Sequence, residues 1–154
     1  MNLRLRPLAE ADLPRLGALI AADPGFSERT NGRPPSADAA DDAAELLSAA
    51  PPGVAAHRKT VLGAFDTDDN LVAVIDLIRG WPQPDTALIG LLQVHADKKG
   101  AGIGRTVHAL LLDRLPSWPE ITQLRAAIVE TNAAHAEPFW RAMGYARAGA
   151  PKPH

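Results

Sequence analysis

The chain has 154 residues, which is enough for one domain with a sizeable core and too few for two comfortable ones. A formal net charge of -2 argues against nucleic acid and anionic membranes as partners, and the absence of cysteine excludes disulfides, thiolate nucleophiles and cysteine-based zinc sites. No apolar run approaches the roughly twenty residues that span a bilayer, so we expect a soluble, cytoplasmic protein with one domain over residues 1–154.

The N-terminal part predicts a short strand and two helices. Residues 3–8, LRLRPL, alternate apolar and basic side chains as a half-buried strand does. Leucines at helical spacing follow in EADLPRLGALIAA, where Pro14 falls in the first turn. Residues 23–35, DPGFSERTNGRPP, have the composition of a loop. The next helix begins with Ser36 as its cap and stops at Pro-Pro-Gly. Its early aspartates are more typical of helix-end electrostatics than of a metal site, and we expect no metal.

Three strand-like runs occupy the middle of the chain, at residues 60–66, 70–78 and 86–94. The TDDN sequence between the first two predicts a hairpin turn and therefore an antiparallel pair. The third run is apolar on both faces, which predicts a central strand.

The C-terminal part continues with helix, strand and helix. A helical pattern over residues 103–115 ends at PSWPE, and QLRAAIVE, residues 123–130, is a strand candidate. In AEPFWRAMGY, Phe139 and Met143 lie one helical turn apart before a glycine at the expected helix end.

Three glycines, Gly100, Gly102 and Gly104, separate the third strand from its helix. Glycines before a helix N-terminus let a phosphate approach unpaired backbone N–H groups without meeting a side chain. A P-loop fails as an explanation because Arg-Thr follows the last glycine instead of Lys-Ser or Lys-Thr. The G-x-G-x-G spacing also fits a dinucleotide fingerprint poorly. A flexible turn without a ligand remains the simple alternative.

The segment VHADKKGAGIGRTVHALL resembles motif A of the GNAT superfamily of acyl-CoA-dependent N-acyltransferases, whose core is Gln/Arg-x-x-Gly-x-Gly/Ala. Six residues occupy its positions: Lys99, Gly100, Ala101, Gly102, Ile103 and Gly104. Lys99 stands where Gln or Arg is usual, but its charge suits a pyrophosphate. IVETNAAHAEPFWRAMGY is similar to motif B, and LRLRPLAEADLPRLGALI resembles the usual start of the family.

The resemblance implies a GNAT fold of the α/β (α+β) class, with a central mixed twisted sheet of about six strands flanked by about four helices. The family usually adds two strands after the position of Gly144, and only ten residues remain here. They allow one short strand through residues 145–148, because Pro151 and Pro153 lack the N–H groups that pairing needs. We therefore expect the last strand to be short or absent. The exposed edge would be protected by the prolines or, as we favour, by a homodimer.

The activity that the resemblance implies is N-acetyl transfer from acetyl-CoA to a primary amine of a small molecule or peptide. The pyrophosphate would lie on the turn from Lys99 to Arg105 and the pantetheine beside Gln93 and Val94. The Val94 N–H would stabilise the oxyanion. Asn132 would position the cofactor from the opposite strand end, or would cap the helix that follows it.

Proton transfer is less defined by the resemblance. The family often places a tyrosine near the sulfur as an acid, whereas this chain has Trp140, which has no accessible titration. Thiolate departure without an acid is compatible with the thiol pKa. His95 is either a proton relay through water or an ordinary loop histidine. Asp76 and Glu130 are weaker base candidates, and Tyr145 is better explained by packing.

The acceptor pocket would be framed by the loop at residues 23–35 and by the C-terminal strands. Candidate pocket residues are Phe26, Arg29, Arg33 and Trp81. Two arginines favour an acceptor with a carboxylate or phosphate beside its amine, although solvated surface arginines are more common. Two other functions stay open: a module that binds acyl-CoA with little catalysis, and a nucleotide-binding regulator.

Overall fold

The structure, a computed structural model, describes residues 2–128 and 132–146. Within these ranges five strands and five α-helices follow one another along the chain. Their bounds are β1 Arg4–Pro7, α1 Leu13–Ala21, α2 Pro24–Asn31, α3 Ala39–Ser48, β2 Lys59–Phe65, β3 Leu71–Arg79, β4 Thr86–Val94, α4 Ile103–Arg114, β5 Gln123–Ala126 and α5 Ala133–Ala142.

The strands form one sheet in the order β1-β2-β3-β4-β5. The first four strands pair antiparallel and β5 pairs parallel to β4, so the predicted mixed sheet and the predicted β2–β3 hairpin are confirmed. β4 has a neighbour on each side, as expected, but the middle strand is β3, which is buried over eight of its nine residues. Five strands lie in the described ranges, against the expected six or so.

Helices cover both faces of the sheet. Leu16, Leu19 and Ile20 of α1 and Ala43 of α3 pack with Val74 on one side, which we call the α1/α3 face. Ile103, Val107 and Leu111 of α4 and Trp140 of α5 pack with Ile75 and Leu77 on the other, the α4/α5 face. Since side chains of a strand alternate between faces, consecutive β3 residues supply both cores.

Helix α2 replaces the loop that the sequence predicts at residues 23–35. The Asp23 side chain accepts a hydrogen bond from the Phe26 N–H at 3.2 Å, and Pro24 occupies the first helical position. Gly32 ends the helix in the left-handed conformation, with φ of 75°. The Asp, Pro and Gly that suggested turns are the residues that begin and end a helix. The loop prediction was therefore wrong.

Other boundaries also differ. Asp38, not Ser36, caps α3, because its carboxylate accepts from the Ala40 N–H at 2.9 Å. The strand expected at residues 123–130 forms β5 over its first four residues only, while residues 129–131 lie outside the described ranges. The expectation of a short or missing last strand falls mostly on residues 147–154, which also lie outside them. None of the described helices is both long and apolar enough to cross a membrane.

Candidate active site

The sheet opens where β4 parts from β5. Parallel pairing runs from Thr86 opposite Gln123 to Ile89 opposite Ala126, and the N–H of Ala127 still bonds the Ile89 carbonyl at 2.9 Å. Beyond this point β4 has no further pairing with β5 among the described residues. The β3–β4 register also shifts here, leaving Gly90 as the extra residue of a β-bulge. Residues 91–94 thus pair with β3 on one edge and face an opening on the other.

The register determines which amides face that opening. The His95 N–H bonds the Val72 carbonyl at 2.8 Å, which continues the β3–β4 ladder past the end of β4. Because hydrogen-bonded and non-hydrogen-bonded pairs alternate in an antiparallel ladder, Gln93 bonds β3, whereas the amides of Leu92 and Val94 point away from it. The predicted donor Val94 therefore faces the opening, and Leu92 adds a second amide that the sequence alone did not indicate.

Gln93 differs from Leu92 and Val94, because its amide bonds β3 and does not face the opening. Its side chain lies on the same face as Leu91, two residues away, which packs in the α1/α3 core. The Gln93 side chain is buried, and its Nε2 has no hydrogen-bond partner within the described part of the chain. The Gln93 side chain therefore lies on the α1/α3 face, and a pantetheine beside Gln93 and Val94 stays a prediction.

The glycine turn brings a helix N-terminus next to this opening. Gly100 and Gly102 have φ of 81° and 77°, in the left-handed region that L-residues avoid. Gly102 is the N-cap of α4 and supplies no side-chain cap, so the N–H groups of residues 103–105 have no partner inside the helix. A Cβ added at Gly100 or Gly102 would meet no atom within 4 Å. These two glycines are needed for their backbone conformation, and the space above them is open.

Gly104 is needed for a different reason. A Cβ at this position would lie 3.0 Å from Phe139 Cε1 and 3.8 Å from Val94 Cγ2. The absence of a side chain therefore lets α4 approach both α5 and the end of β4. Of the two neighbouring aromatic residues on α5, Phe139 is the one that contacts the glycine turn. The motif similarity did not indicate whether Phe139 or Trp140 would make this contact.

Helix α2 holds residues on both sides of the opening. Lys99, in the turn, forms an ion pair with Asp23. Burial raises the pKa of Asp23, but the Lys99 ammonium and the Phe26 amide outweigh it, so the pKa lies below its ordinary value. Asn132, across the opening, accepts a hydrogen bond from Arg29 Nε at 3.1 Å. It occupies the N-cap position of α5, where the capping interpretation put it, but its side chain makes no capping hydrogen bond.

Trp140 lies in the α4/α5 core, 7% exposed. Its ring meets those of Phe139 and Tyr145 edge-on at centroid distances of 5.0 Å. Tyr145 in turn shares a hydrogen bond of 2.8 Å with Nε2 of His108, a buried residue that sequence reasoning missed. Burial lowers the pKa of His108 and raises that of Tyr145 to about 12, so both are neutral at pH 7. The packing role expected for Tyr145 fits this cluster.

The candidate bases occupy different places. His95 lines a cavity of about 390 Å³ between α1 and the β2–β3 turn, and its Nδ1 accepts a hydrogen bond from the Asp97 N–H at 3.1 Å. In the neutral ring the proton is therefore on Nε2. Asp76 is buried in the middle strand, where Lys59 Nζ lies 2.7 Å from its Oδ1. Glu130 lies outside the described ranges. No three His, Asp or Glu side chains group as metal ligands in residues 2–128 and 132–146.

The expected acceptor residues are not brought together. Phe26 and Arg29 lie on α2, beside the opening. Arg33 forms an exposed ion pair with Glu45 at 3.2 Å. The Trp81 N–H bonds the carbonyl of Thr86, the first residue of β4, at 3.1 Å, so Trp81 is at the opposite end of that strand from Val94.

Several solved structures with similar folds are named as acetyltransferases. An acetyltransferase of Thermus thermophilus has a TM-score of 0.72 and 24% identity, with 98% of this chain and 92% of that chain covered. Ribosomal-protein-alanine N-acetyltransferase of Brucella melitensis biovar Abortus 2308 has a TM-score of 0.71 and 17% identity, covering 99% and 98%. The ribosomal-protein-S18-alanine N-acetyltransferase of Escherichia coli has a TM-score of 0.65 and 18% identity, covering 96% and 80%. At these identities the likeness supports the fold.

The sequence itself identifies the family. No curated protein sequence matches the chain significantly. The sequence profile described as Acetyltransferase (GNAT) family, however, matches residues 27–145, which is more than half of the chain. This agrees with the resemblance carried by the glycine turn and with the mixed sheet. The chain belongs to the GNAT acetyltransferase family.

Proposed function

We propose that the protein transfers the acetyl group of acetyl-CoA directly to a primary amine of a small molecule or a peptide. The observation that carries the proposal is the arrangement of backbone donors around one opening. The amides of Leu92 and Val94 face it from β4, and the N-terminus of α4 begins beside it at Gly102. Hydrogen-bond donors for a carbonyl and for a pyrophosphate are therefore adjacent.

The residues present fit acetyl-CoA. The unpartnered N–H groups and the dipole of the α4 N-terminus favour a phosphate group, and the open space above Gly100 and Gly102 leaves room for one. Lys99 adds a positive charge, although in this structure it is paired with Asp23. Acetyl-CoA would supply an activated thioester. Phe139 and Val94 would form the wall on which its pantetheine lies.

In this reaction the chain positions the thioester and the amine, and it stabilises the negative charge that develops on the thioester oxygen. An N–H of Leu92 or Val94 donates to the thioester oxygen as negative charge develops there, a type of contribution worth about 3 kcal/mol in other enzymes. The neutral amine attacks the carbonyl carbon, so its ammonium form must first lose a proton to a base.

A second candidate is a module that binds acyl-CoA with little catalysis. The observation in its favour is the aromatic pair on α5, where Trp140 stands in place of the acid-supplying tyrosine and lies in the core. Two structural neighbours are named for acetylation of a ribosomal-protein alanine, so a peptide with an N-terminal alanine belongs among the acceptors to be tried.

The test is release of free CoA thiol from acetyl-CoA in the presence of a panel of primary amines, including amino sugars, amino acids, polyamines and short peptides. Turnover above the hydrolysis rate with any of them supports transferase activity. A CoA-induced rise in melting temperature without turnover on any amine would instead support the binding module. Equal stabilisation by CoA, NAD and ATP would contradict both and leave a generic phosphate site.

A further inference from the structure

One ion pair joins helix α2 to the glycine turn. Nζ of Lys99, at the start of the turn, pairs with Oδ2 of Asp23, the N-cap residue of α2. The two residues lie 76 positions apart in the chain. The Lys99 side chain is 47% exposed, whereas the Asp23 side chain is 13% exposed. The pair therefore holds a solvent-accessible ammonium against a carboxylate that is mostly buried.

The Asp23 carboxylate is held in place by groups of its own helix. Its Oδ1 accepts a hydrogen bond from the Phe26 N–H at 3.2 Å. Arg29 is close as well, because Arg29 Nη1 and Asp23 Oδ1 lie 3.0 and 3.7 Å from the point that a Cβ on Gly25 would occupy. Burial raises the pKa of Asp23, but Lys99, the Phe26 amide and Arg29 together lower it below its ordinary value. Asp23 thus keeps a hydrogen bond and a nearby positive charge even when Lys99 moves away.

Lys99 is the partner that can move. Within the described ranges its ammonium pairs only with Asp23. A lysine ammonium is a compact charge on a flexible four-carbon stem, so it changes partner easily. The turn that Lys99 begins leads through Gly100 to Gly102, where the N-terminus of α4 favours a phosphate group and the space is open. Two anions, the Asp23 carboxylate and a pyrophosphate on the turn, therefore have access to the same ammonium.

We infer that Asp23 competes with the pyrophosphate of acetyl-CoA for Lys99 and so sets the affinity of the protein for its cofactor. While Lys99 is paired with Asp23, its charge is offset and attracts the pyrophosphate less. Binding of the cofactor transfers Lys99 from the carboxylate to the pyrophosphate, and Asp23 remains with Phe26 and Arg29. This inference rests on the proposed function. It gives Asp23 no part in the transfer of the acetyl group.

The second contact of α2 across the opening does not take part in the competition. Arg29 Nε donates to Oδ1 of Asn132 at 3.1 Å, and this bond uses only the amide oxygen of Asn132. The amide nitrogen of Asn132 is a donor in its own right, so a ligand can accept from it without breaking the bond to Arg29. Helix α2 can therefore stay attached to the N-terminus of α5 while Lys99 changes partner.

The competition has a definite sign and size. The apparent affinity for a ligand is reduced by the fraction of molecules that are ready to bind it. An ion pair with a solvent-accessible partner is worth up to about 1 kcal/mol, which is about fivefold in an equilibrium constant. Loss of the Asp23 charge should therefore tighten CoA binding by about three- to fivefold. If Asp23 instead oriented Lys99 toward the pyrophosphate, the same change would weaken CoA binding.

The first test is calorimetric titration of wild type and Asp23→Asn with CoA. Asparagine is as good an N-cap as aspartate, so the variant removes the charge and keeps the start of α2. We expect its Kd for CoA to be about three- to fivefold lower than that of the wild type. An unchanged or higher Kd would overturn the inference. Asp97→Asn is the control, because Asp97 lies two positions before Lys99 and forms no ion pair within the described part of the chain. Equal tightening by Asp97→Asn would show that the loss of any nearby negative charge is sufficient, and would refute the competition.

The second test repeats Asp23→Asn in a chain that carries Lys99→Met. Without Lys99 there is no ammonium to release, so we expect Asp23→Asn to change the Kd for CoA by less than about twofold. Tightening of the same size as in the wild-type background would mean that Asp23 repels CoA directly, and the role of Lys99 would be refuted. Asp23→Ser, which also keeps an N-cap oxygen, takes the place of Asp23→Asn if that variant does not fold.

The proposed function can fail separately from this inference. If the wild type does not bind CoA, the proposed cofactor site is wrong and the competition is wrong with it. If the wild type binds CoA and Asp23→Asn binds it no more tightly, only the role of Asp23 is refuted.

Discussion

Substitution of Gly102 by alanine tests whether the glycine turn holds the pyrophosphate. Gly102 has φ of 77°, and an added Cβ meets nothing within 4 Å, so the change introduces backbone strain without a clash inside the protein. An L-residue in the left-handed region costs about 1–2 kcal/mol. For a chain of this length that corresponds to a fall in melting temperature of about 2–8 °C. Any effect on the melting temperature beyond this strain must come from a ligand that contacts the new methyl group.

Gly53→Ala is the matched control. Gly53 has φ of 83° in the turn after α3, again with nothing within 4 Å of an added Cβ, and it has no part in the cofactor site. Urea denaturation should show a similar loss of unfolding free energy in both variants.

The assay that separates them is thermal unfolding with and without CoA. At a CoA concentration of 100 times Kd the stabilisation is about 2.7 kcal/mol, which raises the melting temperature by about 5–11 °C. Wild type and Gly53→Ala should show this rise, and Gly102→Ala should lose most of it. If Gly102→Ala keeps the full rise while destabilised like Gly53→Ala, the phosphate groups do not lie on this turn and the reasoning is wrong.

Three further predictions concern described side chains. Arg6 lowers the pKa of buried Asp12 to about 2 from 3.8, so its stabilisation is complete above pH 4 and lost as pH falls through 2. Urea denaturation of Asp12→Asn should therefore show a loss of at most about 2 kcal/mol at pH 7, reduced by solvent around Arg6, and little loss near pH 2. Tyr145→Phe leaves His108 Nε2 without its partner and should cost about 1–3 kcal/mol in the same assay, with kcat unchanged; a large fall in kcat would give the phenol a catalytic part. Trp140→Phe should lower kcat less than tenfold, through lost packing, whereas a loss of several hundred-fold at unchanged CoA affinity would show that the indole N–H acts in the chemistry.

The local features of this fold were predictable from the sequence. The TDDN turn made the β2–β3 hairpin evident, and the glycine spacing before a helical apolar pattern located the start of α4. Both depend on residues within a few positions of one another, where backbone preference and periodicity act directly. The same local signals misplaced α2, because Asp23, Pro24 and Gly32 are residue types that occur both in turns and at helix ends. Packing of the segment against α1 and across the opening decides between the two.

The geometry of the candidate site came only from the tertiary structure. The direction of the Leu92 and Val94 amides follows from the β3–β4 register and its bulge at Gly90, and one residue of slippage would reverse it. The bond from Arg29 to Asn132 joins residues 103 positions apart. Likewise, Asp76 was visible in the sequence as a polar residue in an apolar strand, but its ion pair with Lys59 required two strands to align. The sequence by itself determined the family, the hairpin and the glycine turn through short-range chemistry. Strand register and burial, which depend on contacts between distant parts of the chain, decided which groups meet.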